Sequence, residues 1–507
     1  MARMMIRHPY SGRPVASSDA AAIAISAMRR PGPSNVTMVL AVLTVLLGYF
    51  FFYFIGEPIV FYGGCAFLTG VCGYHALSSL FFGELNIGAV ISSQTMLWHA
   101  LPFSYIVLFG YENYIHEISE LYNAESLVIV VIISLITYFY FNKFGKSISI
   151  QGILIKWRDY VPVILPILMM QIYLIASGSR GYASVVGIGS EIGGEREATL
   201  LYQFTTGLSP ALMPMCAVAL AAIFRGRPAQ RNIISVSFFL FVLAVQFLWW
   251  TTAGRRSMTI IALISAVSFF AIYYRSQLNG RRVFIIAALV LAAIPILWFL
   301  WEGYYLLRIA TDVSRGAENL SILNLGRARE LSVNSNVEGQ FVENIIRRPF
   351  LILTSLSIVR EATNGVLWGW NIISQALLTI PSVLFPNKFE FIGPVLENLW
   401  YFELGVPLND WTNTMFVEGY IDFYIFGFPI YVYIIYILFI LIIKISIYSG
   451  YTAIVFFSYF NLSFSILSVE TTTNALFVCI RSTLFVIFVA LFVRFLQRGR
   501  WMGRQFS

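Results

Sequence analysis

Along this chain the apolar residues run together in blocks near twenty residues, separated by short polar breaks, instead of alternating with polar positions as in a soluble fold. Twelve blocks can be drawn, at about 37–55, 58–76, 88–109, 125–141, 160–177, 204–223, 233–252, 257–274, 283–301, 425–443, 451–468 and 474–493. Each is long enough to cross a bilayer as a helix. Backbone groups in lipid must be bonded within their own segment, and these blocks are too long and too uniformly apolar for alternating barrel strands. The expected fold is therefore all-α, a polytopic transmembrane helical bundle of about 12 spans. The third block is the most interrupted, by Ser92, Ser93, Gln94 and His99.

Between the ninth and tenth blocks lies a long polar interval, 302–424, the non-hydrophobic segment large enough to be a working surface. Within it Phe341 to Ser357 and Val366 to Ile380 carry apolar residues at helical spacing, punctuated by Pro349, Pro381 and Pro386. Surface or re-entrant helices are predicted there, forming a lid over a cavity between helices or, alternatively, a docking domain for a partner. The chain then divides into a basic tail (1–36), spans one to nine (37–301), the large loop (302–424), spans ten to twelve (425–493) and a second basic tail (494–507).

Composition agrees, with 58% hydrophobic and 11% charged residues. Cys65, Cys72, Cys216 and Cys479 all lie inside apolar blocks without CxxC or Cys/His spacing, so neither a disulfide framework nor a zinc site is suggested. The apolar piece Ala20 to Met28, among Arg3, Arg7, Arg13, Arg29 and Arg30, is too short and interrupted for a signal-peptide core. It is expected to belong to a cytoplasmic tail.

Charge orients the bundle. With both termini cytoplasmic, 20 of the 33 Lys and Arg fall on the cytoplasmic side against three of the 25 acids (Asp19, Glu84 and Asp159), as the positive-inside rule requires. The outer side then holds twelve basic residues that orientation does not explain: Arg180, Arg196, Arg255, Arg256, Arg308, Arg315, Arg327, Arg329, Arg347, Arg348, Arg360 and Lys388. Anion binding at the outer surface accounts for them, as does pairing with lipid phosphates or with outer acids. Arg255 and Arg256, in a turn too short to hide them, form two adjacent forks of diphosphate size. Arg481 lies inside the last span, where a charge marks function or a structural pair with Glu470.

The four histidines, His8, His75, His99 and His116, all lie outside the large loop, which argues against a serine or cysteine triad on the outer face. The absence of P-loop, GxGxxG and HExxH motifs, and of acidic clusters at metal-ligand spacing, leaves arginines and carboxylates as the available chemistry. Arginine holds phosphate oxygens and stabilises a leaving diphosphate without a metal. A carboxylate from Glu361, Asp410 or Glu418 would take the proton of an attacking hydroxyl. Trp368, Trp370, Trp400, Tyr401, Trp411 and Tyr420 suit sugar faces, although each is also a typical membrane-interface residue. Together these residues fit glycosyl transfer from a lipid diphosphate, with no cofactor, no metal and no nucleic acid involved.

Three short motifs add a family resemblance: Ala253-Gly254-Arg255-Arg256-Ser257 opening a span, Leu384-Phe385-Pro386-Asn387-Lys388, and Thr412-Asn413-Thr414 followed by Val417-Glu418-Gly419-Tyr420 and Phe426-Gly427. With the many spans and one large loop in the C-terminal part, the chain resembles the Wzy-type polysaccharide polymerases. Some members of that family carry Arg, ten residues, Gly in two periplasmic loops, and Arg196 to Gly207 and Arg315 to Gly326 have that spacing here. Chance supplies such matches readily, and Gly207 falls inside a predicted span.

The resemblance implies a multi-pass protein of the bacterial inner membrane with the large loop periplasmic. Its donor would be a growing glycan on undecaprenyl diphosphate and its acceptor a single lipid-linked repeat unit, making O-antigen, capsule or exopolysaccharide. Arg255, Arg256, Arg180, Arg196, Arg308, Arg315, Arg481 and Lys388 would hold diphosphate. Glu418, first, then Asp410 or Glu361 would be the base, with Trp411, Tyr420 and Trp400 on the glycan. A chain-length regulator and a flippase are the expected protein partners. An O-antigen ligase shares the layout but is associated with a loop histidine that this chain lacks. A flippase or transporter usually shows repeated halves, whereas here the spans divide nine to three. A non-catalytic scaffold for polysaccharide export is the remaining alternative.

Overall fold

In the computed structural model of the chain, residues 35–81, 84–85, 87–110, 118–144, 148–149, 157–176, 200–225, 233–252, 257–274, 350, 353–380, 384–388, 390, 414–467 and 472–505 are described. The described part is helical apart from one two-residue antiparallel pairing, Glu84 with Ser149 and Leu85 with Ile148. The helices are α1 (Asn35–Ile55), α2 (Ile59–Phe81), α3 (Ile87–Thr95), α4 (Leu101–Phe109), α5 (Glu120–Phe144), α6 (Val161–Ala176), α7 (Leu200–Leu208), α8 (Leu212–Arg225), α9 (Ile233–Thr252) and α10 (Ser257–Tyr274). They continue with α11 (353–362), α12 (Trp370–Leu378), α13 (Met415–Phe423), α14 (Gly427–Ser449), α15 (Thr452–Leu467) and α16 (Thr472–Gln505).

The predicted spans other than the ninth, which lies outside the described residues, coincide with helical segments. Among the described residues, six stretches are long and apolar enough to cross a membrane: Val36–Ile55, Glu120–Phe139, Phe204–Arg225, Ile233–Trp250, Met415–Ser449 and Thr473–Phe492. Their outward faces are apolar. Leu40, Leu43, Leu47, Phe50 and Phe54 make an exposed stripe down α1, and Ile430, Tyr433, Ile437 and Leu441 make one on α14. Exposed apolar rows at helical spacing over several long helices are what a lipid-facing surface requires. The chain is a helical membrane protein.

Two predicted spans are built from pieces. The third changes from α3 to a π-helical turn, Met96–Ala100, before α4. The sixth breaks at the 3-10 turn Ser209–Ala211, where Pro210 has no N–H to continue the ladder, and the Ser209 hydroxyl takes up the Thr205 carbonyl at 2.6 Å. The apolar block 204–223 thus includes the second half of α7 and most of α8, and α8 is a central pillar: 89% of its span is buried. The second pillar is α15, buried from Ala453 to Leu467. Its Asn461 donates to the Gly207 carbonyl at 2.9 Å, the Cys479 carbonyl at 3.3 Å and Thr483 Oγ1 at 3.2 Å, joining α7, α15 and α16. Gln171 of α6 and Gln246 of α9 exchange amide hydrogen bonds at 3.2 and 2.5 Å, and Gln171 also donates to Ser209 at 2.8 Å. Such interhelical bonds supply association that lipid, as apolar as the helices, does not drive.

Buried side chains form two clusters. The smaller gathers α1, α2, α4 and one side of α5 with Phe350 and Leu353, and the larger holds α6 to α10 and α13 to α16. Both α5 and α11 contribute to each: Leu127 and Leu353 face the first, Val130 and Leu356 the second. These two helices close the seam between the subbundles.

Candidate functional site

The loop predicted between spans nine and ten contributes packed structure. Of the helix expected at Phe341 to Ser357, Phe350 and 353–357 are helical and α11 continues to 362, while 341–349 and 351–352 lie outside the described residues. The one expected at Val366 to Ile380 is confined to Trp370–Leu378 because Trp368 and Gly369 have φ of 51° and 88°, which a right-handed helix cannot include. Gly369 also lies so close to Phe423 that an added Cβ would stand 3.1 Å from the ring. This turn docks on the end of α13 through backbone bonds from Leu367 to Ile421 and from Trp368 to Asp422, each 3.0 Å. The helix α13 itself begins ten residues before the predicted tenth span, and the 3-10 turn Tyr424–Phe426 joins it to α14.

Glu418 and Asp422 stand four residues apart on α13, hence on one face, and both are fully buried. Each closes the start of a different helix. Glu418 accepts the Thr473 backbone N–H at 3.2 Å and the Thr473 hydroxyl, at the first turn of α16. Asp422 accepts the N–H groups of Asn371 at 3.0 Å and Ile372 at 3.1 Å, at the first turn of α12, and the Tyr431 hydroxyl at 2.5 Å. A carboxylate at a helix N-terminus satisfies orphan donors and meets the positive end of the helix dipole.

The other end of α12 receives cations. Lys388 Nζ donates to the Leu378 and Ile380 carbonyls at 2.9 and 2.7 Å, and an Arg481 terminal nitrogen donates to the Thr379 carbonyl at 2.5 Å. Arg481 lies 5.5 Å from the centre of the Phe204 ring, and its Nε is buried without a hydrogen-bond partner among the described residues. Burial first, and then the Arg481 charge, push the Lys388 ammonium below its ordinary range. Both cations thus meet carbonyl oxygens at a helix end that carries roughly half a negative charge. Glu470, the partner first expected for Arg481, lies outside the described residues.

A second polar group sits on the seam. Arg360 of α11 pairs with Glu125 of α5 at 3.3 Å, donates to Ser126 Oγ at 2.5 Å, and lies 4.8 Å from the centre of the Tyr122 ring. Tyr420 of α13 is in hydrogen-bond reach of Arg360, and Glu361 is in electrostatic reach of Tyr122. Glu361 is exposed whereas Glu418 is buried.

The structure thus brings Lys388 and Arg481 together, and places Tyr420 at the Arg360 guanidinium, with Glu361 in electrostatic reach of Tyr122. Arg180, Arg196, Arg255, Arg256, Arg308, Arg315, Asp410, Trp400 and Trp411 lie outside the described residues. Gly207, half of one Arg-to-Gly match, is a close-approach glycine: an added Cβ would meet Ser482 Oγ at 2.4 Å. Sequence reasoning passed over Asp422, Glu125 and Tyr122. The i, i+4 spacing of Glu418 and Asp422 was the available signal for the first. His99 is fully buried in the π-helical turn, edge-on to Phe416 at 5.3 Å, with neither ring nitrogen hydrogen-bonded among the described residues. Comparison of the chain with protein-family models, with curated proteins and with solved structures finds no match.

Proposed function

We propose that this protein is a metal-independent glycosyltransferase of the Wzy type, polymerising undecaprenyl-diphosphate-linked repeat units at the periplasmic face of a bacterial inner membrane. The observation that carries the proposal is the gathering of two cationic side chains, Lys388 and Arg481, at the end of α12, which suits a diphosphate held beside a lipid-facing bundle. In the reaction, an acceptor sugar hydroxyl attacks the donor's anomeric carbon. The new glycosidic C–O bond forms as the bond to the diphosphate oxygen breaks, and undecaprenyl diphosphate leaves with the electron pair. The hydroxyl proton passes to a carboxylate. Glu361 now stands first for that step because it is exposed beside Arg360, whereas Glu418 already serves the start of α16.

Deletion of the gene in its host, with glycans sized by gel and mass spectrometry, tests this. The expected result is accumulation of single repeat units, restored to polymer by wild type and not by Lys388→Met or Glu361→Gln when those variants insert at wild-type levels. Full-length polymer retained on its carrier would replace the proposal with a ligase, and repeats confined to the cytoplasmic leaflet with a flippase. Unimpaired polymer formation by both variants would remove these residues from the site.

A further inference from the structure

Tyr122 of α5 and Tyr420 of α13 meet Arg360, and three further tyrosines, from α1 and the turn Tyr424–Phe426, extend the group. Tyr122 lies under the guanidinium, and Tyr420 packs edge-on with Tyr424 at 5.5 Å. Tyr49 of α1 is in electrostatic reach of both Glu125 and Arg360 and is paired with Tyr53 at 6.2 Å. Tyrosines that anchor a bundle in the membrane interface spread around its circumference. These instead meet at one point, where α1, α5, α11 and α13 come together on the seam between the subbundles.

Among the described residues, Arg360 is paired with Glu125, 3.3 Å away, and Glu361 is in electrostatic reach of the same Tyr122 ring, so two carboxylates accompany one guanidinium here, in contrast to the two cations at the end of α12. Aromatic faces edged by carboxylates and one guanidinium instead match a pyranose, whose C–H face packs on a ring while its hydroxyls bond to charged acceptors and donors. Accessibility is sufficient: the Glu125 side chain is 43% exposed, and Tyr53 and Tyr424 are exposed residues.

We propose that the tyrosine cluster around Arg360, Glu125 and Glu361 is a saccharide-binding subsite for the sugar end of the substrate, separate from the diphosphate site at Lys388 and Arg481. Naming its ligand as the acceptor's non-reducing sugar rests on the polymerase proposal, whereas saccharide binding as such does not.

The test uses the full-length protein in nanodiscs and, as probe, the free oligosaccharide repeat unit released by mild acid from the host's own surface polysaccharide. Binding is measured by saturation-transfer NMR and titration, without turnover. Tyr424→Ala and Glu361→Gln change exposed residues and leave the Arg360–Glu125 tie in place. The expected result is wild-type binding weakened about tenfold or more by each, with Tyr424→Phe close to wild type. No wild-type binding, or binding unchanged in both variants, would overturn the subsite. The two proposals fail separately. A wild type that elongates lipid-linked repeats while both variants keep their saccharide affinity leaves the polymerase standing and removes the subsite. A wild type that binds saccharide in a tyrosine-dependent way but elongates nothing does the reverse.

Discussion

At the scale of single residues, the chief lesson is how much charge is spent on helix ends. Asp422 joins the start of α12 to Tyr431 of α14, and Asn371 Nδ2 completes the network by donating to the Tyr431 hydroxyl at 3.0 Å. Hydrogen bonds to a charged acceptor are worth about 1.5–3 kcal/mol, so Asp422→Ala is expected to lower stability by at least that amount. Tyr431→Phe, which removes one donor and leaves the backbone bonds, is expected to cost less. Thermal unfolding in detergent distinguishes them, and an unchanged midpoint for Asp422→Ala would contradict the capping role. Such roles were hard to read in the sequence. Glu418, Lys388 and Arg481 were each visible as unusual charges, yet their partners are 55, 8 to 10 and 102 positions away along the chain, and in most cases backbone atoms that carry no side-chain signature.

At the scale of elements, the apolar blocks predicted helix positions closely because length and uniform hydrophobicity suffice where the surroundings are lipid. The breaks were less legible. The π-helical turn at Met96–Ala100 and the start of α13 within the predicted loop depend on packing against distant helices, not on local periodicity. The crossing of α13 with α14 shows the same limit. Gly419 and Gly427 bring the two backbones together so closely that an added Cβ on Gly419 would stand 2.7 Å from the Gly427 carbonyl oxygen. Backbone cannot swing aside as a side-chain tip can. Gly419→Ala is therefore expected to destabilise by about 1–3 kcal/mol, the usual cost of overpacking, and to lower stable yield in membranes. Wild-type thermal stability for that variant would show that α13 and α14 separate freely.

At the scale of the whole molecule, two buried clusters meet along α5 and α11, and the polar groups proposed to act lie at that junction or on the adjoining α12 and α16. For the proposed polymerase, a surface between subbundles would let a lipid-borne substrate enter from the side with its sugars projecting from the membrane. Charge counting predicts an outer position for the loop, while the grouping of its described residues required the fold. Arg360 was visible only as one of twelve unexplained basic residues, and its neighbours Tyr49 and Tyr122 come from α1 and α5, before the loop in the chain.

Polymerisation is tested most directly by purified full-length protein in nanodiscs, supplied with undecaprenyl-diphosphate-linked single repeat units and sampled over time by mass spectrometry. A ladder of lipid-linked products, each longer by one repeat, with release of undecaprenyl diphosphate and no loss of rate in EDTA, is the expected result. Repeat units left at their original length by protein that still shows cooperative thermal unfolding would contradict the assignment.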